Sequence, residues 1–269
     1  MLEKIKILNF EVIKLMLKKQ ISFPIINYNY WCQKNDYFSN TPLISTIKIG
    51  LNHARKGGLI DGIINSSNLV TNKDLVDLIK LKVQNHQSVD KFENDELMII
   101  FDLIQGWGGK ACRNIYVQPN LNPTRISLTT LPEIYKKAIN YCVSGDYQAA
   151  LAKITSIPNL GESFATKHIF FWSEFGPSRK GLPIYDTRIK TLLFLKSSAA
   201  AGYEIFVNAL NKKAIELSMP PAFVERALFS FSQNYFPNSK LIIKENILDE
   251  TDIQEATKLQ SSFKIINLI

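Results

Sequence analysis

One carboxylate in this sequence stands where it could do chemistry. Asp186 lies in the segment LPIYDTRI, at the point where a proline-bounded loop meets an apolar helical run. Aspartate is a favoured N-cap, because its side chain accepts a hydrogen bond from a backbone N–H of the first helical turn. The same side chain, where it faces a cleft, stays ionised and can stabilise the positive charge that develops on a sugar as its base departs. The segment alone favours the cap, and the two interpretations are compatible.

A short turn lies one helix before this carboxylate. It consists of Pro158, Asn159, Leu160 and Gly161, and it tolerates a positive φ at Asn159 or Gly161. Such a turn leaves backbone N–H groups free at the start of the next helix, where they can bind a DNA phosphate without reading sequence. Glu162, beside the turn, opposes that attraction. The alternative is a plain corner between two helices, which the turn by itself favours.

The elements that must position these residues are helical. Apolar residues recur at helical spacing and predict a mainly α protein with two helical lobes and a cleft between them. The predicted helices span residues 73–81, 96–105, 131–143, 147–154, 164–175, 203–217 and 223–235, and residues 1–19 form a further amphipathic pattern. Residues 125–128 are a short strand candidate, and a small β element is compatible with residues 1–40.

Composition limits the function classes. The chain has 269 residues, is 46% hydrophobic and carries a net charge of +8, mostly through lysine. This charge suits attraction to a phosphate backbone, although a solvated lysine surface is the commoner alternative. Its apolar stretches are shorter than the ~20 residues that span a bilayer, so we expect no membrane span. The three cysteines and three histidines are scattered. We therefore expect a reducing, cytoplasmic location, no metal and no cofactor.

The hairpin, the helix after it and the later aspartate together resemble the helix-hairpin-helix DNA glycosylase superfamily. That family has a hairpin of the form L-P-G-x-G, a helix, and then an aspartate that begins another helix. IPNLG and IYDTRI match this pattern, with Asn159 replacing one glycine. SFATKHIFFW, LPIYDTRI, LIQGWGGKACRN and VERALFSF are similar to the bacterial branch that resembles 8-oxoguanine DNA glycosylases. The resemblance implies a glycosylase core over residues 94–236, a packed N-terminal region of unassigned role over 1–93, and a C-terminal helical segment over 237–269.

The resemblance also implies site residues. Members that cleave the strand carry a lysine nucleophile at the start of the helix after the hairpin, and this chain has Ser163 there. A serine in this position is typical of relatives that use water. Lys167 lies one turn further along the same helix face and is the substitute nucleophile in one interpretation, or a phosphate-contacting surface lysine in the other. The iron–sulfur subgroup is excluded, because the tail from Asn234 to Ile269 has no cysteine.

Further residues are weaker candidates. A flipped base needs an aromatic pocket, for which Trp107 and Trp172 are candidates, with ordinary helix packing as the alternative for each. Lys110 and Arg113, in a glycine-rich segment, are candidate phosphate contacts or solvated helix ends.

The expected function is removal of a modified base from double-stranded DNA by a cytoplasmic, nucleoid-associated monomer. The substrate implied by the resemblance is 8-oxoguanine, in repair, or a hypermodified phage base such as glucosylated hydroxymethylcytosine, in antiviral defence. The alternative is a non-catalytic helix-hairpin-helix module that binds DNA and has no need of Asp186 facing a cleft.

Overall fold

The structure is a computed structural model that describes residues 21–235, with gaps at 22, 55–58, 85–92, 110–129, 178–180, 194 and 196–198. Within the described part the chain is mainly helical, which confirms the prediction of a mainly α protein. The β pairing found there is an isolated bridge between Pro42 and Thr71. The strand candidate at residues 125–128, the amphipathic segment at 1–19 and the C-terminal segment at 237–269 lie outside the described residues.

The described helices follow one another in a simple order. They are α1 (Tyr28–Gln33), a 3-10 helix (Asp36–Phe38), α2 (Ser45–Ala54), α3 (Asp61–Ser66), α4 (Asn72–Gln84), α5 (Asn94–Gly108), α6 (Leu131–Ser144), α7 (Tyr147–Thr155), α8 (Glu162–Phe175), α9 (Thr187–Leu192), α10 (Ala199–Leu217) and α11 (Pro221–Tyr235). Each segment predicted from helical periodicity between residues 73 and 235 lies within one of these helices, so these predictions are confirmed.

The short helices before residue 67 were not predicted from the sequence. Helix α2, for example, has the sequence STIKIGLNHA, in which a glycine and β-branched residues lower the intrinsic helix propensity. It forms against α5, where Gly50 and Gly106 let the two backbones approach closely. A Cβ on Gly50 would lie 2.1 Å from the carbonyl oxygen of Gly106. Tertiary contact therefore stabilises a helix that local preference would not.

Helix α8 is central to the packing. It contacts α4, α5, α6 and α7, and its residues from Ala165 to Ser173 are buried. Burial of each large apolar side chain in such a core stabilises the fold by about 1.5–3 kcal/mol. A helix held on several sides presents its remaining side chains in fixed positions, so the first turns of α8 can position a functional site.

The two ends of the described chain meet beside α8. Helix α1 packs against α11, with Trp31 edge-to-face against Phe231 at 5.5 Å between ring centroids. The guanidinium of Arg226 lies over the Phe38 ring at 3.7 Å, and the Asn35 side chain donates to the Arg226 carbonyl. Residues from before position 40 therefore reach the same region as α8 and α11.

Candidate active site

The turn between α7 and α8 has the backbone that the sequence suggested. Asn159 has a φ of +65°, a left-handed conformation that asparagine tolerates better than most residues. The buried Leu160 donates its N–H to the Ile157 carbonyl at 3.1 Å, which closes the turn. Gly161 is the N-cap of α8, and its carbonyl accepts from the N–H groups of Phe164 and Ala165. The exposed backbone of Asn159 and Gly161 thus borders the start of α8.

Asp186 is the N-cap of α9. Its Oδ1 accepts a hydrogen bond from the Arg188 N–H at 2.9 Å. Its other oxygen, Oδ2, is directed at α8, where it accepts from the Ser163 hydroxyl at 2.7 Å. One oxygen of Asp186 therefore caps α9, and the other faces the candidate site residues on α8.

Lys167 joins this pair. Its Nζ lies 3.5 Å from Asp186 Oδ2 and donates to Ser163 Oγ at 3.3 Å. The Lys167 and Asp186 side chains are only 10% and 14% exposed. The structure thus brings together the three residues that the sequence proposed as catalytic, in a cluster of an ammonium, a hydroxyl and a carboxylate.

The charge state of Asp186 follows from its partners. Burial raises the pKa of this carboxyl, but the Lys167 ammonium, the Arg188 N–H and the Ser163 hydroxyl lower it by more. The net pKa lies below the usual value for aspartate, so the group stays ionised at neutral pH.

The Lys167 chain is held in place by its neighbours. Its Nζ lies 4.4 Å from the centroid of the Phe164 ring, a cation–π contact. Gly108, at the end of α5, leaves room for both side chains. A Cβ there would lie 2.5 Å from the Phe164 ring and 3.3 Å from Lys167 Cδ. The ammonium is therefore positioned by packing as well as by its hydrogen bond.

The cluster lies in a pocket of about 180 Å³. Its walls include Trp107, which T-stacks on Phe38 and whose indole N–H donates to the Tyr37 carbonyl. Tyr37 in turn contacts Phe229 edge-to-face at 5.6 Å. The remaining lining residues come from the same helices and loops: Asn35, Gly108, Phe164, Ile184, Arg188 and Glu225. Aromatic faces beside a charged cluster suit a flat, polar ligand.

Trp172 lies elsewhere. It is buried in the core and does not line this pocket; its indole N–H donates to the Tyr135 hydroxyl at 2.8 Å. The Tyr135 hydroxyl lies 2.8 Å from His168 Nδ1, and His168 Nε2 lies 2.6 Å from the side-chain amide of Gln105. Burial, with a smaller contribution from Lys167, lowers the pKa of His168 to about 3, so the imidazole is neutral. We call these four residues the core network.

The proton positions in the core network follow from its partners. Because the Tyr135 oxygen accepts from Trp172, its own hydrogen is available for His168 Nδ1. His168 Nε2 then carries the ring hydrogen and needs an acceptor, which the Gln105 amide supplies when its Oε1 is turned towards the ring. Each of the four residues then has a partner, and the other end of the Gln105 amide has none among the described residues.

Glu225 was not among the site residues predicted from the sequence. This residue lies on α11, is 3% exposed and lines the pocket. The pKa of Glu225 is raised to about 8, mainly by burial. The charge of Asp186 also raises it, whereas the charges of Arg226 and Lys167 lower it. A glutamate at a buried position of the apolar run VERALFSF was the available signal, and helical spacing alone could not show which side chain it would meet.

The N-terminal wall was missed as well. Asn35, Tyr37 and Phe38 reach the pocket through the packing of α1 on α11 and through the contacts of Tyr37 and Phe38 with Trp107. Lys110 and Arg113, the candidate phosphate contacts, lie outside the described residues.

The described residues hold no group of three His, Cys, Asp or Glu side chains close enough to bind a metal ion, and no described helix is long and apolar enough to cross a membrane. Searches of protein-family models, curated proteins and solved structures found no match to this chain.

Proposed function

We propose that this chain is a DNA N-glycosylase, which turns a modified base out of the duplex and cleaves its N-glycosidic bond in the pocket. The observation that carries the proposal is the cluster of Ser163, Lys167 and Asp186 in an aromatic-lined pocket directly after the α7–α8 turn. A module that only binds DNA has no need of a buried ionised carboxylate beside a lysine.

The chemistry needs one ionised carboxylate and one nucleophile. Cleavage of an N-glycosidic bond passes through an oxocarbenium-like state, which the Asp186 carboxylate stabilises because its charge is fixed in place and shielded from water. Ser163 orients that carboxylate and contacts the ammonium. Two groups can attack the sugar carbon: the Lys167 amine, which would form a Schiff base, or a water held by Asp186.

The same proposal includes a two-lobed helix-hairpin-helix fold with the DNA in a cleft between the lobes. The backbone at Pro158, Asn159, Leu160 and Gly161 would bind a phosphate at the N-terminus of α8, and Lys110 and Arg113 would add further contacts. Glu162 is neutralised locally, because its carboxylate pairs with Lys190 at 2.5 Å. This ion pair reduces the repulsion that the sequence suggested between Glu162 and a phosphate.

The pocket bears on the substrate. The ligand that it takes is a single modified base, for which 8-oxoguanine and glucosylated hydroxymethylcytosine are the candidates. Its volume of about 180 Å³ is below the ~300–1,000 Å³ of pockets that enclose drug-sized ligands. This size favours a base without an attached sugar, such as 8-oxoguanine.

The test is base release from duplexes that carry 8-oxoguanine, uracil, an alkylated base or glucosylated hydroxymethylcytosine, followed by alkali to reveal abasic sites. Asp186→Asn should lower release at least about 10³-fold and leave DNA affinity within a few-fold. The matched control is Asp146→Asn. Asp146 caps α7 through the Ala149 N–H, as Asp186 caps α9, but its side chain is outside the pocket.

The outcomes separate the two functions. Release that is lost in Asp186→Asn and kept in Asp146→Asn supports the glycosylase. Unchanged release in Asp186→Asn contradicts the role of that residue. If no substrate is cut while DNA binding remains salt-sensitive, the chain is a binding module.

A further inference from the structure

A second carboxyl in the pocket has an environment opposite to that of Asp186. Glu225 is 3% exposed, lines the pocket, and makes no side-chain hydrogen bond or ion pair with any described residue. Asp186, in contrast, accepts from Arg188 and Ser163 and lies against Lys167. A buried carboxylate without donors is costly, whereas a buried carboxylic acid is tolerated.

The surroundings of Glu225 include charges of both signs. The titratable or charged groups that interact electrostatically with Glu225 come from several helices: Cys32 on α1, Lys167 on α8, Asp186 at the start of α9, Tyr203 on α10 and Arg226 on α11. Tyr37 and Arg188 also line the pocket. Burial outweighs the nearby cations and raises the pKa of Glu225 to about 8. At neutral pH the pocket therefore holds one ionised carboxyl and one protonated carboxyl.

Two carboxyl groups whose environments push their pKa values apart are the arrangement expected of an acid and a charge stabiliser in one site. A base that leaves as an anion is a poor leaving group in a pocket that excludes water. A carboxylic acid beside it lowers that barrier by supplying a proton as the bond breaks. Phe229, one helical turn after Glu225, lines the same pocket and offers the base an aromatic face next to the acid.

We propose that Glu225 is the general acid of this site and donates its carboxyl proton to the departing base; this inference rests on the proposed glycosylase function. The bond between C1′ and the base nitrogen breaks, and its electron pair goes to the base. The Glu225 proton moves to a nitrogen or oxygen of that base, and C1′ accepts an electron pair from water or from Lys167, whose ammonium first loses a proton to solvent and so becomes an amine. Glu225, now a carboxylate, regains a proton from the new ammonium or from the attacking water.

The experiment compares single-turnover base release by Glu225→Gln and wild type across pH 6 to 10 on the duplex that the substrate panel identifies, with 8-oxoguanine opposite cytosine tested first. Glutamine keeps the size and the hydrogen-bonding ability of the side chain but has no acidic proton to transfer. We expect the variant to be slower by about 10²–10⁴-fold at pH 7 with unchanged DNA affinity. The wild-type rate should fall above about pH 8, and this fall should be absent in the variant. Glu216→Gln, which removes an exposed partner of Lys213 on α10, is the control that should behave as wild type.

The results distinguish this inference from the function on which it rests. If wild type releases no base from any duplex, the proposed function fails. If wild type releases base and Asp186→Asn does not, but Glu225→Gln retains the wild-type rate, Glu225 only contacts the base and the acid role is wrong. Should Glu225→Gln fail to fold, the wild-type profile decides, because a rate that stays constant to pH 10 overturns the proposal.

Discussion

Two neighbouring residues of α8 belong to two different polar clusters. Lys167 faces the pocket with Ser163 and Asp186, and His168 belongs to the core network with Tyr135, Gln105 and Trp172. Both clusters are largely buried, so burial does not distinguish them. They differ in charge: the core network is neutral, whereas the pocket cluster is made of an ammonium and a carboxylate.

The difference shows how a functional site can be separated from structural polarity in one helix. In the core network each of the four residues has a hydrogen-bond partner within the network, which stabilises one arrangement of α5, α6 and α8. In the pocket, Glu225 has no hydrogen-bond partner among the described residues, and Asp186 is held as an anion beside open volume. A fixed charge beside open volume is therefore a better indicator of a ligand site than a buried polar residue alone.

The largest expected effect tests the pocket cluster. Lys167→Gln should abolish borohydride trapping of a protein–DNA adduct and lower base release at least about 10²-fold, because it removes the candidate amine nucleophile. The matched control is Lys213→Gln. Lys213 is also paired to a carboxylate, Glu216, but it lies on α10 and does not line the pocket. Trapping that survives in Lys167→Gln would assign the adduct to another amine, and release without trapping in wild type would favour the water route.

A smaller effect, on stability rather than rate, is expected from the core network. Tyr135→Phe should lower the free energy of unfolding by about 2–4 kcal/mol, because His168 Nδ1 and Trp172 Nε1 both lose a buried partner. Denaturant unfolding measures this loss, and the rate per folded molecule should not change. Tyr141→Phe, at an exposed position of the same helix, should stay within about 0.5 kcal/mol of wild type. A selective loss of activity in Tyr135→Phe would mean that the core network takes part in the chemistry.

The smallest expected effects have opposite signs in the two regions. The pKa of His168 is lowered from 6.5 to about 3, so the unfolded chain takes up a proton first and stability is lost as pH falls through this window. The pKa of Glu225 is raised from 4.5 to about 8, so its contribution is present at low pH and is lost as pH rises through that window. Each slope is at most about 1.4 kcal/mol per pH unit.

Single variants separate these slopes between pH 4.5 and 6.5, where both windows overlap. In His168→Gln the free energy of unfolding should increase as pH falls, relative to wild type. The His168 contribution, which has the opposite sign, is then absent and only the Glu225 contribution remains. In Glu225→Gln it should decrease as pH falls. Identical pH dependence of unfolding in the two variants would remove the contrast between the regions.

Local sequence alone determined the helices predicted by periodicity between residues 73 and 235 and the start of a helix at Asp186. Ser163 and Lys167 became candidates through the resemblance to a known family. Apolar periodicity reports which face of a helix is buried, and a proline-bounded loop before an aspartate reports where a helix begins. Lys167 stands one turn after Ser163 by spacing alone, so their contact could be expected from the sequence.

Only the tertiary structure decided which groups meet that cluster. Glu225 lies 39 positions after Asp186 in the printed sequence, and Tyr37 lies far before it, yet all three line one pocket. The same packing separates Trp107, in the pocket wall, from Trp172, in the core. Helical periodicity shows that a side chain is buried but not what it is buried against, because that depends on contacts between helices distant in sequence.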